Sequence, residues 1–237
     1  MRVALLAPMQ QELAPLRRRL ALRRTPSGDR TLHVGTVGTA DVVATTTGIG
    51  TSAARATTAW LLGELRIDHA IVVGIAGGVD ARQPIGALIA PELVVDGASG
   101  STHRPVQLGE LPPCGRLVTS DRLVTGLAEA AELARSGVVG LDMETAAIAA
   151  VCESRGCPWS VFRAISDRVT DETTDAAVLA LAGADGSGDL FAVARYLLVR
   201  PWRIVRLARL ARGTARAADA AADAAIRACG RLAGTPA

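Results

Sequence analysis

Three acidic side chains lie shortly after apolar segments that have the composition of buried strands. Glu12 lies beyond VALLAP, Glu144 follows VVGLDM, and Asp167 follows VFRAIS. A carboxylate can accept hydrogen bonds from paired hydroxyls or hold a water molecule, and a protonated carboxyl can donate a proton. The ordinary interpretation of such acids, and of Asp142, is a solvated or capping residue at the start of a helix. Catalysis requires that the fold bring them together.

Clusters of glycine mark the ends of two further apolar runs. Gly48 and Gly50 follow DVVATTT, and Gly74, Gly77 and Gly78 follow AIVV. Because glycine has no Cβ, backbone N–H groups at such strand ends can approach a ligand closely. The alternative is that these glycines only form tight turns. The two clusters are therefore candidates for lining a binding pocket.

The apolar runs alternate with helix-prone stretches, a pattern that predicts a three-layer α/β fold. Several runs are continuously apolar, as expected for strands buried on both faces of a mainly parallel sheet. The predicted strands are Val3–Leu6, Leu32–Val37, Asp41–Thr47, Ala70–Val73, Ala87–Val95, Leu117–Thr119, Val138–Leu141 and Trp159–Ile165. The predicted helices are Gln10–Leu22, Thr51–Leu65, Arg122–Arg135 and Asp142–Ser154. Ligands of open α/β sheets bind beyond the carboxyl ends of the strands, where these acids and glycines lie.

The last third of the chain differs in composition from the rest. We divide the sequence into a catalytic domain, residues 1–199, and a helical extension rich in Arg and Ala, residues 200–237. Within the catalytic domain, residues 176–188 are small and acidic and predict a connector, and residues 190–198 predict a helix.

The extension predicts a helix from Pro201 onward that is interrupted at Gly213. Its Ala-Asp repeats, residues 217–225, have low complexity and are expected to fray. Arginines occur at every third position from Arg200 to Arg212, a spacing that distributes them around the helix instead of on one face. Two interpretations stay open: a solvated or domain-packing helix, and a peripheral contact with an anionic membrane surface or a lipid-like partner.

Composition excludes several classes of function for this chain of 237 residues. It contains no lysine, which rules out a Schiff-base lysine and the lysine of a phosphate-binding loop. Aromatic residues make up 3% of the chain, too few stacking platforms for a nucleic-acid partner. The four cysteines form no C-x-x-C pair and the three histidines are scattered, so no zinc site is expected. No apolar run reaches about 18 residues, and we expect a soluble, cytoplasmic protein.

The motifs taken together identify a family. MRVALLAPMQQE, TTTGIG, VVGIAGGVD, LDMETAAIA and FRAISD occur in this order over roughly residues 1–170. The set resembles the purine and uridine phosphorylase superfamily, in particular its methylthioadenosine/S-adenosylhomocysteine nucleosidases. The resemblance implies a three-layer α/β/α sandwich of the nucleoside phosphorylase type with a mixed, mainly parallel central sheet. It also implies a homodimer that needs neither a metal nor an organic cofactor and hydrolyses the N-glycosidic bond of a 5′-substituted adenosine, a small-molecule substrate, to release adenine.

The same resemblance implies a role for each acid. Asp167 would protonate N7 of the leaving purine, and Ser166 would orient it. Glu12 would position and activate the attacking water. Glu144 would bind the 2′- and 3′-hydroxyls of the ribose, against which Met143 would pack. The other residues expected to bind the substrate are Gly48, Ile49, Gly74, Ile75, Ala76, Gly77, Leu123, Val124 and Arg163.

The nucleophile follows from the segment after the first strand. Related phosphorylases carry a phosphate-binding arginine there, whereas this chain has none between Ala7 and Leu16. Water is therefore favoured over phosphate. Two departures from the nucleosidase pattern, Leu123 in place of an aromatic and Ile75 in place of a small polar residue, leave the 5′-substituent open.

Other functions stay open as well. The segment DGSGDLFAVARYLLVRPWRIVRLARLARGTARA is similar to the C-terminal region of hopanoid-associated nucleosidases, which act on adenosylhopane. This likeness suggests a lipid-linked adenosine as an alternative substrate. Another nucleoside, such as a futalosine-like compound, is a further alternative, and so is phosphorolysis. A non-catalytic nucleoside-binding domain is the alternative from a different class, against which the three retained carboxylates argue.

Overall fold

The computed structural model describes residues 1–122, 124, 126–169 and 204–234, with side chains from residue 209 onward in the last segment. In this part of the chain, five helices surround an 11-stranded sheet. The strands are β1 (Arg2–Ala7), β2 (Arg23–Ser27), β3 (Arg30–Val37), β4 (Ala40–Thr46), β5 (His69–Gly78), β6 (Leu88–Ile89), β7 (Leu93–Asp96), β8 (Thr102–His103), β9 (Arg116–Thr119), β10 (Val138–Asp142) and β11 (Trp159–Arg168). The helices are α1 (Gln10–Arg19), α2 (Thr51–Glu64), α3 (Leu127–Arg135), α4 (Thr145–Ser154) and α5 (Ile204–Gly234).

The sheet is mixed, with a parallel centre. Its strand order is β2-β3-β4-β1-β5-β10-β9-β7-β8, and β11 pairs with β5 and with β6. The central strand β5 lies parallel to both β1 and β11, and β1 lies parallel to β4. Antiparallel pairs lie toward the two edges, where β2, β3 and β4 follow one another and β8 returns along β7. Two further antiparallel pairs, β10 with β5 and β6 with β11, adjoin the central strands. The predicted mixed α/β sheet is confirmed.

Helices cover both faces of this sheet, as predicted for three layers. Along β1, Ala4 and Leu6 face a cluster that includes buried residues of α2 and α4. Their neighbours Val3, Leu5 and Ala7 face a second cluster, which includes buried residues of α1 and α5. This alternation is the period-two pattern of a strand that is buried on both sides. The carboxyl ends of β1, β5 and β11 therefore emerge between two packed helical layers.

Several predicted boundaries are wrong. The predicted strand Ala87–Val95 is two strands, β6 and β7, separated at Pro91, whose ring removes the N–H that a continued ladder needs. The predicted helix Arg122–Arg135 begins only at Leu127, and the predicted helix Asp142–Ser154 only at Thr145, because Asp142 ends β10. Strands β2 and β8, short and at or near the sheet edges, were not predicted at all. The predicted connector and the helix at residues 190–198 lie outside the described residues, as does the proposed domain boundary.

The predicted interruption and fraying of the C-terminal helix are also wrong. Helix α5 runs through Gly213 without a break. Its alanines at 217, 221, 222, 224 and 225 are buried in the cluster that they share with β1, β4 and β5. Asp219 and Asp223 of the Ala-Asp repeats pair with Arg18 and Arg19 of α1. Tertiary packing thus stabilises as helix a segment whose composition alone suggested fraying.

Among the described residues, no helix combines the length and the apolarity that crossing a lipid bilayer requires.

Candidate active site

A fully buried arginine lies at the centre of the polar residues. Arg163, in the middle of β11, has a side chain with 0% exposure. Three carboxyl groups contact its guanidinium: Nη2 lies 2.7 Å from Asp142 Oδ2 and 3.4 Å from Glu144 Oε2, and Nη1 lies 3.6 Å from Glu12 Oε1. The sequence placed Arg163 among the substrate-binding residues. In the structure its buried guanidinium contacts the two glutamates, and a contact of Arg163 with the substrate stays a prediction.

Glu12 is fixed from two elements, the start of α1 and the strand β5. One oxygen, Oε2, accepts the backbone N–H of Met9 at 2.8 Å, which caps the start of α1. The other, Oε1, accepts the N–H of Ile75 in β5, also at 2.8 Å. The carboxylate and the Arg163 guanidinium occupy the space next to Gly74, where any Cβ would overlap both groups. The glycine of this motif therefore makes room for the charged pair.

Glu144 lies between two helices. It occupies the N-cap position of α4, and its Oε1 accepts the N–H of Gly50, the N-cap residue of α2, at 3.0 Å. A negative charge is favoured at a helix N-terminus by the exposed N–H groups and the helix dipole. The second oxygen of Glu144 faces Arg163. The side chain thus connects the segment after β4 with the junction of β10 and α4.

Asp142 caps a helix, as the sequence suggested, and has a second role that the sequence did not suggest. It accepts hydrogen bonds from the backbone N–H and the hydroxyl of Thr145 in the first turn of α4, as a capping residue does. It also accepts the Thr119 hydroxyl at 2.6 Å and pairs with Arg163. The ion pair with Arg163 was not predicted, since no local pattern connects the two positions. Asp121, which accepts the N–H of Thr51 at 2.8 Å and its hydroxyl at 2.5 Å and so caps α2, was also missed.

Burial shifts the acid–base properties of these groups. It raises the pKa of Glu12 to about 7, against the opposing effects of Arg163 and the two N–H donors. Burial likewise raises the pKa of Glu144 to about 7. Burial lowers the pKa of Arg163, but the charges of the three carboxylates outweigh it and raise that pKa above its ordinary value. With all groups ionised, three negative charges face one positive charge, so the cluster has an excess of negative charge.

The pair Ser166 and Asp167 lies near the end of β11. The register between β11 and β5 shifts here: Ile165 lies opposite Ala76 and Asp167 opposite Gly77, which leaves Ser166 as the extra residue of a β-bulge. The Ser166 hydroxyl lies 2.5 Å from Asp167 Oδ1 and 3.4 Å from the carbonyl oxygen of Ala76. A bulge changes the direction in which the following side chain points, and here it presents Asp167 at the carboxyl edge of the sheet.

The remaining predicted residues fall into two groups. Near the cluster, Gly48 and Ile49 lie between β4 and α2, Met143 lies between β10 and α4, and residues 74–77 form the last part of β5. Val124, by contrast, is buried with Ala130 and Val169 in a small apolar cluster of its own. Leu123 lies outside the described residues.

A match to a sequence family places the chain in a superfamily. The sequence profile described as the phosphorylase superfamily matches residues 2–120 and 112–188. These matches cover more than half of the chain, and the chain belongs to this superfamily.

Two nucleosidases and a hydrolase illustrate the similarity. The 5′-methylthioadenosine/S-adenosylhomocysteine nucleosidase of Colwellia psychrerythraea is 26% identical over 204 residues, 70% of this chain and 84% of that protein. The crystal structure of the corresponding Neisseria meningitidis enzyme with methylthio-immucillin-A aligns with a TM-score of 0.73 at 21% identity, covering 98% and 99% of the chains. The structure of futalosine hydrolase from Helicobacter pylori aligns with a TM-score of 0.72 at 16% identity, covering 98% of each chain. At these identities the structural comparisons establish the fold.

Proposed function

We propose that this protein is a purine nucleosidase that hydrolyses the N-glycosidic bond of a 5′-substituted adenosine, of the methylthioadenosine or S-adenosylhomocysteine type. One observation carries the proposal: two buried glutamates share Arg163 at the carboxyl edge of the sheet, where β11 also presents the Ser166–Asp167 pair. The superfamily match and the curated nucleosidase relatives support the same reaction.

The excess negative charge of the cluster suits the transition state of this reaction. Cleavage of a glycosidic bond passes through an oxocarbenium-like state with positive charge on the ribose. Fixed carboxylates in a site shielded from water stabilise such a charge without reorganising during the reaction. Glu144, held by Gly50 and Arg163, has the acceptor oxygens to bind the 2′- and 3′-hydroxyls of the ribose.

Glu12 is the proposed general base. Its raised pKa of about 7 means that the ionised carboxylate is a stronger base than an exposed glutamate and is still available near neutral pH. Within the described residues, the neighbouring Arg163 Nη1 has no hydrogen-bond partner. We place the attacking water beside this pair, at hydrogen-bond distance from both Arg163 Nη1 and Glu12 Oε1.

Asp167 is the proposed general acid, which protonates N7 so that adenine leaves as a neutral base. Ser166 donates a hydrogen bond to Asp167 Oδ1 and thereby fixes the orientation of the carboxyl group. Water is the proposed nucleophile because the segment between Ala7 and Leu16, which contains Glu12, supplies no arginine for a phosphate ion.

The substrate and the nucleophile are tested in one assay. The purified protein is offered methylthioadenosine, S-adenosylhomocysteine, inosine, a futalosine-type nucleoside and an adenosine with a long 5′-alkyl chain, each with and without phosphate. We expect adenine release from the adenosines at a rate independent of phosphate. Formation of a ribose-1-phosphate would contradict hydrolysis. Selective turnover of the long-chain substrate would favour a lipid-linked adenosine over the two thioether nucleosides.

Asp167→Asn tests the assignment of the acid. Loss of general acid catalysis is expected to lower kcat by about 10²–10⁴-fold, with the circular dichroism spectrum and the thermal unfolding midpoint close to those of the wild type. Asp96→Asn is the matched control, since Asp96 likewise lies at the carboxyl end of a strand, β7, but interacts with its own turn. An Asp167→Asn variant with the activity of the control would show that another group supplies the proton.

Assembly and location are also proposals. We propose a homodimer in the cytoplasm whose catalytic domain, residues 1–199, is completed by α5. Light scattering of the purified protein measures the mass of the assembly, and a monomer at micromolar concentration would contradict the dimer.

A further inference from the structure

The long C-terminal helix contacts the strand of the proposed acid at one unusual position. Gly213 lies in the interior of α5, where it is buried against the end of β11. A Cβ at this position would lie 2.6 Å from the carbonyl oxygen of Ser166 and 3.2 Å from Ile85 Cγ2. Real Cβ atoms do not approach other heavy atoms within 3.0 Å. Glycine is thus the residue that allows the backbone of α5 to lie directly against Ser166.

The residue that Gly213 contacts, Ser166, belongs to the β-bulge and not to a regularly paired part of β11. Ser166 is the extra residue between two registered pairs of the β11–β5 ladder, so its backbone position is not set by a partner across the sheet. On the preceding residue, Ile165, the N–H donates to Ala87 at 2.9 Å and the carbonyl accepts from Gly86 at 2.7 Å. The turn at residues 84–87 and the helix at Gly213 therefore enclose the bulge from two directions.

We propose that Gly213 is a positioning residue for the acid: by letting α5 support the bulge at Ser166, it fixes the direction in which Asp167 points. This inference rests on the proposed function. Catalytic groups lose rate steeply when they are displaced, by about 10²-fold for a shift near 1 Å. A methyl group at residue 213 must move the bulge, the helix or both, while Glu12 and Glu144, held from β5 and α2, are not in its path.

Gly213→Ala is the test, and Gly230→Ala is its matched control. Gly230 lies in the same helix, and a Cβ there would have no atom within 4 Å. Because alanine favours helix over glycine, the control is expected to raise the thermal unfolding midpoint and to leave kcat unchanged. Gly213→Ala is expected to lower kcat by about tenfold to a hundredfold, with KM for the nucleoside within about twofold, because binding of the ribose is not disturbed.

A double-mutant cycle separates positioning from general damage. If Gly213 acts through the acid, adding Gly213→Ala to Asp167→Asn lowers kcat no further, because the displaced group no longer donates a proton. Equal fold losses in the two backgrounds would overturn the inference, as would a folded Gly213→Ala variant with the wild-type kcat.

A second variant covers the outcome in which Gly213→Ala is not recovered as a folded protein. Ile85→Ala shortens the side chain of the 84–87 turn that lies beside Gly213 and introduces no clash. It is expected to lower kcat several-fold in the wild type and not in Asp167→Asn, and an unchanged kcat would overturn the inference. A wild-type protein that releases no adenine from any nucleoside contradicts the proposed function, whereas an active wild type with insensitive variants contradicts the role of Gly213 alone.

Discussion

Neighbouring residues of β11 lie in two regions of opposite character. Arg163 points into a cluster of three carboxyl groups, whereas Phe162 and Ala164 on either side of it pack in the apolar cluster that contains the alanines of α5. The charged region buries groups that water would solvate better, and the raised pKa values of Glu12 and Glu144 report that cost. The alanine region gains stability from close packing and carries no charge. The apolar side of the strand thus supports a site that would be unfavourable by itself.

Arg163→Met removes the cation of the charged region and has the largest expected effect on stability. It leaves three buried carboxyl groups without their cation, which costs about 3–5 kcal/mol of the free energy of unfolding. The loss should be larger at pH 8 than at pH 5, because the glutamates can take up protons at the lower pH. Urea unfolding at both values measures it.

Arg82→Met is the control for that experiment. Arg82 forms an exposed pair with Asp80 and is expected to change the unfolding midpoint very little. If Arg163→Met were as stable as this control at pH 8, the carboxyl groups would not depend on the arginine.

The same contrast explains what the sequence could predict. The three acids each follow an apolar run, so their common location at the edge of a parallel sheet could be inferred from the motifs. The ion pair of Asp142 with Arg163 could not, because residues on two different strands share no local pattern. Asp142 was interpreted as a helix cap, which is correct but incomplete.

Helix α5 shows how little the local sequence can predict when tertiary packing determines the structure. Its Ala-Asp repeats carry little local information, and helix propensity alone does not show whether a surface exists for the alanines to cover. Gly213 was interpreted as a break because glycine disfavours helix. The reason for this glycine is the carbonyl oxygen of Ser166, 47 residues earlier in the chain and therefore invisible in the local sequence.

The pH dependence distinguishes catalysis from stability in the charged region. Because the pKa of Glu12 is about 7, its base form is lost as the pH falls below that value, and kcat should decrease about tenfold per pH unit. Stability should change in the other direction. The pKa values of Glu12 and Glu144 in the folded chain exceed their ordinary value of 4.5, so the folded state binds more protons between pH 4.5 and about 7. The free energy of unfolding therefore decreases as the pH rises from 4.5 to about 7, and the contribution of these two groups is complete only below pH 4.5.

Two measurements test this pair of expectations. Steady-state kinetics with methylthioadenosine from pH 5 to pH 8 give the profile of kcat, and thermal unfolding over the same range gives the stability. Glu12→Gln is expected to be inactive and carries no titrating group at residue 12, so it should flatten part of the stability profile. A kcat that is constant from pH 5 to pH 8 would show that Glu12 is not the base.

Ala221→Leu tests the alanine side and has the smallest expected effect. Ala221 is fully buried between α5 and the sheet, and the larger side chain must push the helix away at a cost of about 1–3 kcal/mol. Ala215→Leu is the matched control, since Ala215 is exposed on the same helix and leucine is nearly as good a helix former as alanine. Urea unfolding should show the loss for Ala221→Leu alone, while kcat at 25 °C stays near the wild-type value in both variants. A large loss of kcat in Ala221→Leu would mean that the whole helix, and not the single contact at Gly213, positions the acid.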